Sequence, residues 1–66
     1  MQIRTDKDGK IRFRIEENCD GTFAIVEGTG DNKLYRSPYS TREEARAREQ
    51  GICKFFEVEC IEEEQA

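Results

Sequence analysis

The stretch Lys10-Ile11-Arg12-Phe13-Arg14-Ile15-Glu16-Glu17 decides the fold, because apolar and charged residues alternate along it. Ile11, Phe13 and Ile15 occupy every second position, and basic side chains lie between them. A period of two predicts a β-strand with one covered face and one face in water, which is the usual state of an antiparallel sheet. We therefore predict a β-strand over residues 10–17, and the positions of the other elements are predicted relative to it.

Two further strands are predicted to follow, each after a turn. Residues 22–27 contain a β-rich Phe-Ala-Ile-Val run, and residues 33–37 follow a glycine-containing turn. Pro38 is expected to end the third strand because it cannot donate to a ladder. A short strand over residues 1–5 is the alternative that adds a fourth strand before the helix.

A helix is predicted next, since Thr41 and Glu44 have the spacing of a capping box. It is expected to stop at Gly51. Beyond it, alternation predicts a returning strand over residues 52–61, and continuation of the helix is the competing interpretation. The fold class is α+β, an antiparallel meander of three or four strands with one helix packed on one face and a C-terminal strand.

The chain of 66 residues is short enough for one domain at most. Residues 1–61 are assigned to that domain and residues 62–66 to an acidic disordered tail. The sequence has no apolar run near ~18 residues and no secretory signal pattern at residues 1–5, so we expect a cytoplasmic protein with no membrane association.

The chain has three cysteines and no histidine. The odd number and the expected compartment favour free thiols, although pairing of Cys53 with Cys60 stays open. Their spacing fits no common zinc motif, and strands flank the one calcium-like loop pattern, which runs from Glu16 to Glu27. We therefore expect neither a metal nor a cofactor. Without histidine, a serine or cysteine nucleophile lacks its usual base, so we expect no catalytic residues and no enzyme.

Charge is the most uneven feature of the sequence. Residues 57–66 hold five glutamates and no basic residue. Such a row can contact a basic protein surface, or it can simply keep an edge strand soluble. The favoured interpretation is a protein-binding regulator or inhibitor, of the kind small acidic phage proteins often are, aimed at a basic partner such as a nucleic-acid-handling enzyme. Its binding residues would be Glu57, Glu59, Glu62, Glu63 and Glu64.

Two alternatives remain at this point. The first is a sheet-face DNA-binding domain that uses Arg4, Lys10, Arg12 and Arg14, and the acidic balance of the chain weighs against it. The second is a structural or dimerising module, because domains of this size often gain stability by forming a homodimer.

Short sequence motifs resemble those of two known protein families. Residues 6–15, Ser37-Pro38-Tyr39-Ser40 and Gly51-Ile52 resemble the YegP-like small domain, which implies an antiparallel sheet with a packed helix, often duplicated or dimeric, and no settled activity. The basic strand stripe followed by a capped helix resembles in outline the arm-binding domains of tyrosine recombinases, which would imply DNA binding.

Overall fold

A computed structural model describes residue 5, residues 8–28 and residues 33–63. These residues form one helix and four strands in the order β-β-β-α-β, which confirms the α+β class. The additional strand proposed over residues 1–5 falls almost entirely outside the described residues. The elements are β1 (Ile11–Glu17), β2 (Phe23–Glu27), β3 (Leu34–Tyr39), α1 (Arg42–Phe56) and β4 (Cys60–Glu62).

The four strands form one sheet in the order β3-β2-β1-β4. The pairs β1–β2 and β2–β3 are antiparallel, as the meander predicted. In contrast, β4 lies parallel to β1, so the sheet is mixed. A parallel neighbour needs a long crossover, and α1 together with β2 and β3 provides it.

The core lies between one face of the sheet and α1. The register pairs Ile15 with Ile25 and Phe13 with Glu27, so these side chains share the face that α1 covers. Ala45 of α1 is fully buried against this cluster. The predicted apolar face of β1 is thereby confirmed, with Ile11, Phe13 and Ile15 all buried.

Pro38 does not end the third strand, because β3 continues through it to Tyr39. Ile25 pairs with Arg36 and Phe23 pairs with Tyr39, so β3 carries one extra residue between these two positions. A proline is tolerated there because β3 is an edge strand with an irregular register, where no ladder bond from that nitrogen is required.

The start of α1 confirms the Thr41 bond of the predicted capping box. The Thr41 side chain accepts a hydrogen bond of 3.0 Å from the backbone N–H of Glu44, and Thr41 itself has extended backbone angles. This bond satisfies one of the N–H groups that every helix leaves unpaired at its first turn.

Replacing Thr41 with alanine is expected to lower the free energy of unfolding by about 1 kcal/mol, because the Glu44 N–H then loses its acceptor. Ser40→Ala, one residue earlier and also exposed, is the matched control and should change stability by less than about 0.5 kcal/mol. Chemical denaturation checks both variants, and equal stabilities of the two would contradict the capping role.

The predicted end of the helix at Gly51 is wrong, and so is the strand over residues 52–61. The helix runs through Gly51 to Phe56, and only Cys60–Glu62 form a strand. A glycine inside a helix costs about 1 kcal/mol, whereas burying an aliphatic side chain contributes about 1.5–3 kcal/mol. Ile52 and Cys53, both buried, therefore outweigh the glycine.

Two of the three cysteines are joined, which corrects the expectation of free thiols. Cys53 of α1 and Cys60 of β4 form a disulfide with their Cα atoms 6.0 Å apart. Cys19 is free and exposed. The sequence left this pairing open, because the bond depends on β4 returning beside the last turns of the helix.

Glu62 and Glu63, which were assigned to the acidic tail of residues 62–66, are bonded to the sheet instead. Glu62 belongs to β4, and the backbone N–H of Glu63 donates a hydrogen bond of 2.7 Å to the Phe13 carbonyl. Residues 64–66 lie outside the described residues.

Candidate functional site

Two glutamates lie in the core between the sheet and the helix. Glu27 of β2 and Glu49 of α1 each have 0% of their surface exposed. Glu27 follows Ile25 by two positions and shares its inward face, while Glu49 lies between Ala45 and Ile52 on the buried side of α1. Buried carboxyl groups are rare unless they are paired or protonated.

Arg36 of β3 is the cation beside this pair. Its Nε lies 3.4 Å from Glu27 Oε2, and its Nη2 donates to Glu27 Oε1 at 3.5 Å. Neither oxygen of Glu49 has a hydrogen-bond partner among the described residues. Because a carboxylate is only an acceptor, a bond between the two glutamates requires a proton on one of them.

The environment of Glu49 supplies that proton. Burial and, after it, the neighbouring Glu27 raise the pKa of Glu49 to about 8, and Arg36 opposes the shift. At neutral pH Glu49 therefore holds a proton that it can donate to Glu27. The arrangement makes stability depend on pH, and its complete burial keeps it away from any large ligand.

The end of α1 carries a different kind of site. Phe55 is 77% exposed, and its ring meets that of Phe56 edge to face with centroids 5.0 Å apart. Phe56 is half-buried and so holds one side of the exposed ring in place.

Glu57 follows directly and ends the helix in a left-handed conformation, with φ of 57°. Its backbone N–H donates to the Lys54 carbonyl at 3.2 Å, which closes the last turn. Glycine is the residue that adopts this conformation at little cost, so a glutamate here is unusual.

The five predicted acidic residues do not form one row. Glu57 is at the helix end, and Glu59 forms an ion pair of 3.1 Å with Lys10. Glu62 lies further along β4, where Arg46 donates two hydrogen bonds to it, at 2.6 and 2.9 Å. These bonds lower the pKa of Glu62. Glu63 is exposed, and Glu64 lies outside the described residues.

The predicted basic stripe is engaged within the chain. Lys10 pairs with Glu59, and Arg14 pairs with Glu16 at 2.6 Å. Arg12 also has a partner in the fold. Arg4 lies outside the described residues. The register places Arg14 opposite Val26, on the sheet face away from the helix, so the stripe does face outward as its alternation predicted.

Sequence reasoning missed Glu27, Glu49, Arg36 and Phe55. The signal for the buried pair was present, since Glu27 is in phase with Phe23 and Ile25 on its strand. Phe55 was assigned to the C-terminal strand, which begins only at Cys60, so its exposure at the helix end was not foreseen.

In the part of the chain that the structure describes, no helix is long and apolar enough to cross a membrane. Those same residues contain no cluster of three or more potential metal ligands. Comparison with protein-family models, with curated proteins and with solved structures finds no match to this chain. The two resemblances to known families stay predictions.

Proposed function

We propose that this protein is a non-enzymatic binding module that docks on another protein through Phe55, Glu57 and Glu59, here named the docking surface. The partner fits it with an apolar pocket for the ring and a basic rim for the carboxylates. The observation that carries this proposal is the exposure of Phe55, 77% of whose surface is in water at the end of an ordered helix.

Phe55 contributes nothing to the core that would explain a large aromatic residue at this position. Its ring contacts Phe56 on one side and is open on the other. Aromatic side chains of this kind are the anchors that dominate protein interfaces, because a partner's pocket can remove their whole surface from water.

The position of Glu57 is unfavourable for a glutamate in two ways. A non-glycine residue in the left-handed region costs roughly 1 kcal/mol, and a negative charge at a helix C-terminus opposes the helix dipole. Residues kept in costly conformations often serve a site rather than the fold. The carboxylate of Glu57 therefore supports a role in contacting a cation.

The charge of the surface favours a basic partner. Glu57 makes no ion pair with any residue that the structure describes, and Glu59 shares its charge only with a surface lysine, Lys10. Exposed pairs of this type contribute little to the fold, so they can be exchanged for a partner's lysine or arginine. A regulator or inhibitor of a nucleic-acid-handling enzyme remains the class of function that such a surface suits.

Phe55→Ala is expected to weaken binding of the partner roughly 30-fold, the effect of a ~2 kcal/mol anchor residue. Glu57→Gly should also weaken binding while raising the stability of the free protein, because it removes the charge and relieves the left-handed strain. The partner is first captured by crosslinking on the wild-type protein, then purified, and its affinity for each variant is measured by calorimetry.

Tyr35→Ala and Glu17→Lys are the matched controls. Tyr35 is the other exposed aromatic residue, at 57%, and it lies on β3 at the far edge of the sheet. Glu17 is an exposed carboxylate at the end of β1 distant from β4. Equal affinity of wild type and Phe55→Ala contradicts the proposal, as does a captured partner that is only a second copy of this chain or a nucleic acid.

A further inference from the structure

From the position of the disulfide we infer that thiol–disulfide exchange at Cys53–Cys60 controls the docking surface, with the oxidised form competent to bind and the reduced form weakened. This inference rests on the proposed function, since it concerns the same surface. It assigns to the one disulfide a regulatory role in addition to a stabilising one.

The disulfide encloses the docking surface and little else. Its two cysteines are seven positions apart, and Phe55, Glu57 and Glu59 all lie between them. Cys53 is anchored in the core at 3% exposure, whereas Cys60 belongs to the three-residue edge strand β4. The bond therefore ties the exposed segment at both ends to the helix.

Other restraints on this segment are few. Val58 N–H donates to the Cys53 carbonyl at 3.0 Å, and Ile11 N–H donates to the Glu59 carbonyl at 2.9 Å. Among its side chains, Phe56 is half-buried against Phe55, and Glu59 forms a surface ion pair with Lys10 that contributes little. Short edge strands and helix ends are the parts of a fold that open most readily, so loss of the disulfide should loosen residues 54–59 first.

The chemistry is a two-electron exchange with a thiol reductant. A thiolate of the reductant attacks Sγ of Cys60, the half-buried partner, and the S–S bond breaks with Cys53 leaving as the thiolate. A second thiol of the reductant then releases Cys60. Two electrons and two protons enter the protein as two thiols form, and the reductant leaves as its own disulfide.

The consequence for binding is a loss of preorganisation. In the oxidised form the ring of Phe55 lies against Phe56 and the backbone of Glu57 closes the helix, so a partner has less of the segment to order. After reduction, binding must also order residues 54–59, and this cost in conformational entropy lowers the affinity. Binding by the reduced form should be roughly tenfold weaker, as expected when several side chains must be immobilised on association.

A proteolysis experiment tests the structural half of this inference without any partner. Chymotrypsin cleavage after Phe55 and Phe56 is followed in a Cys19→Ala background, with and without prior reduction by dithiothreitol; this background removes the exposed free thiol. Reduction is expected to speed this cleavage about tenfold, as local opening becomes frequent. Cleavage after Tyr35 on β3 is the internal control, and its rate should hardly change. An unchanged rate after Phe55 overturns the inference.

A second experiment tests the effect on binding. It compares the affinity of the captured partner for the oxidised protein, the reduced protein and a Cys53→Ala/Cys60→Ala variant. Weaker binding by both of the latter supports the inference. Equal binding by all three overturns it while leaving the docking surface intact, provided that Phe55→Ala still weakens binding. If Phe55→Ala binds as wild type does, the proposed function itself fails.

Discussion

Replacing Glu49 with glutamine is expected to raise the free energy of unfolding by about 2 kcal/mol at pH 7. Glutamine is neutral at every pH, as the protonated carboxyl group of Glu49 is, and its amide is also able to donate to Glu27. The variant should therefore keep a neutral side chain beside Glu27 and lose the dependence of stability on pH.

The direction of that dependence follows from the pKa of Glu49. Burial beside Glu27 raises this pKa from 4.5 to about 8, so between these values the fold retains a proton that the unfolded chain has released. The stabilising contribution is complete below pH 4.5 and is lost as pH rises through about 8, with a slope of up to about 1.4 kcal/mol per pH unit. The charged groups that face Glu49 are Glu27 on β2 and Arg36 on β3. The neighbouring residues on β1 and β4 are Phe13 and the disulfide-bonded Cys60, and neither of them titrates.

Urea denaturation of the wild type and Glu49→Gln from pH 5 to pH 8.5 measures this effect. The wild type should lose stability across the range, and the variant should lose much less. Glu43→Gln, an exposed position of the same helix, is the control and should keep the wild-type slope. Parallel slopes for wild type and Glu49→Gln would show that Glu49 is ionised in the fold at neutral pH.

Replacing Arg36 with methionine is expected to lower the free energy of unfolding by about 3 kcal/mol, because Glu27 then has no cation beside it in the core. The Arg36 side chain is 19% exposed and the Glu27 side chain is fully buried, so water cannot take over the role of the guanidinium. The loss is large for a domain of this size, whose total stability is of order 5 kcal/mol.

The double variant Glu27→Gln/Arg36→Met keeps this prediction testable if the single variant fails to fold. It removes both charges, so most of the lost stability should return. Arg48→Met, an exposed arginine of α1, should change stability by less than about 0.5 kcal/mol. A double variant as unstable as Arg36→Met would show that the arginine acts through packing instead of charge.

The parts of the fold that could be predicted are those governed by local rules. The alternation in β1 identified its buried face, and the Thr41 cap located the start of α1. Both depend on neighbours within a few residues, for which periodicity and hydrogen-bonding capacity are sufficient information.

The parts that could not be predicted depend on tertiary contacts. Gly51 interrupts no helix because Ile52 and Cys53 gain more from burial than the glycine loses. The parallel pairing of β4 and the disulfide follow from where that longer helix ends. The error at Gly51 therefore led to the wrong bounds of the last strand and to the missed exposure of Phe55.

The candidate site was predictable only in part. The carboxylates Glu57 and Glu59 were identified from charge, but the structure separates them from Glu62, which Arg46 holds. The buried pair of Glu27 and Glu49 was not predicted, because two glutamates in a core contradict the usual preference of charged residues for water. Their in-phase positions on β2 and α1 are the signal to look for in similar sequences.

The proposed function depends on the exposed ring of Phe55 entering a partner's pocket. The most direct measurement is the dissociation constant of the oxidised protein and its captured partner, compared among wild type, Phe55→Ala and Tyr35→Ala. We expect Phe55→Ala to bind roughly 30-fold more weakly, while Tyr35→Ala binds as wild type does. Equal constants for all three, or a loss confined to Tyr35→Ala, would contradict the claim.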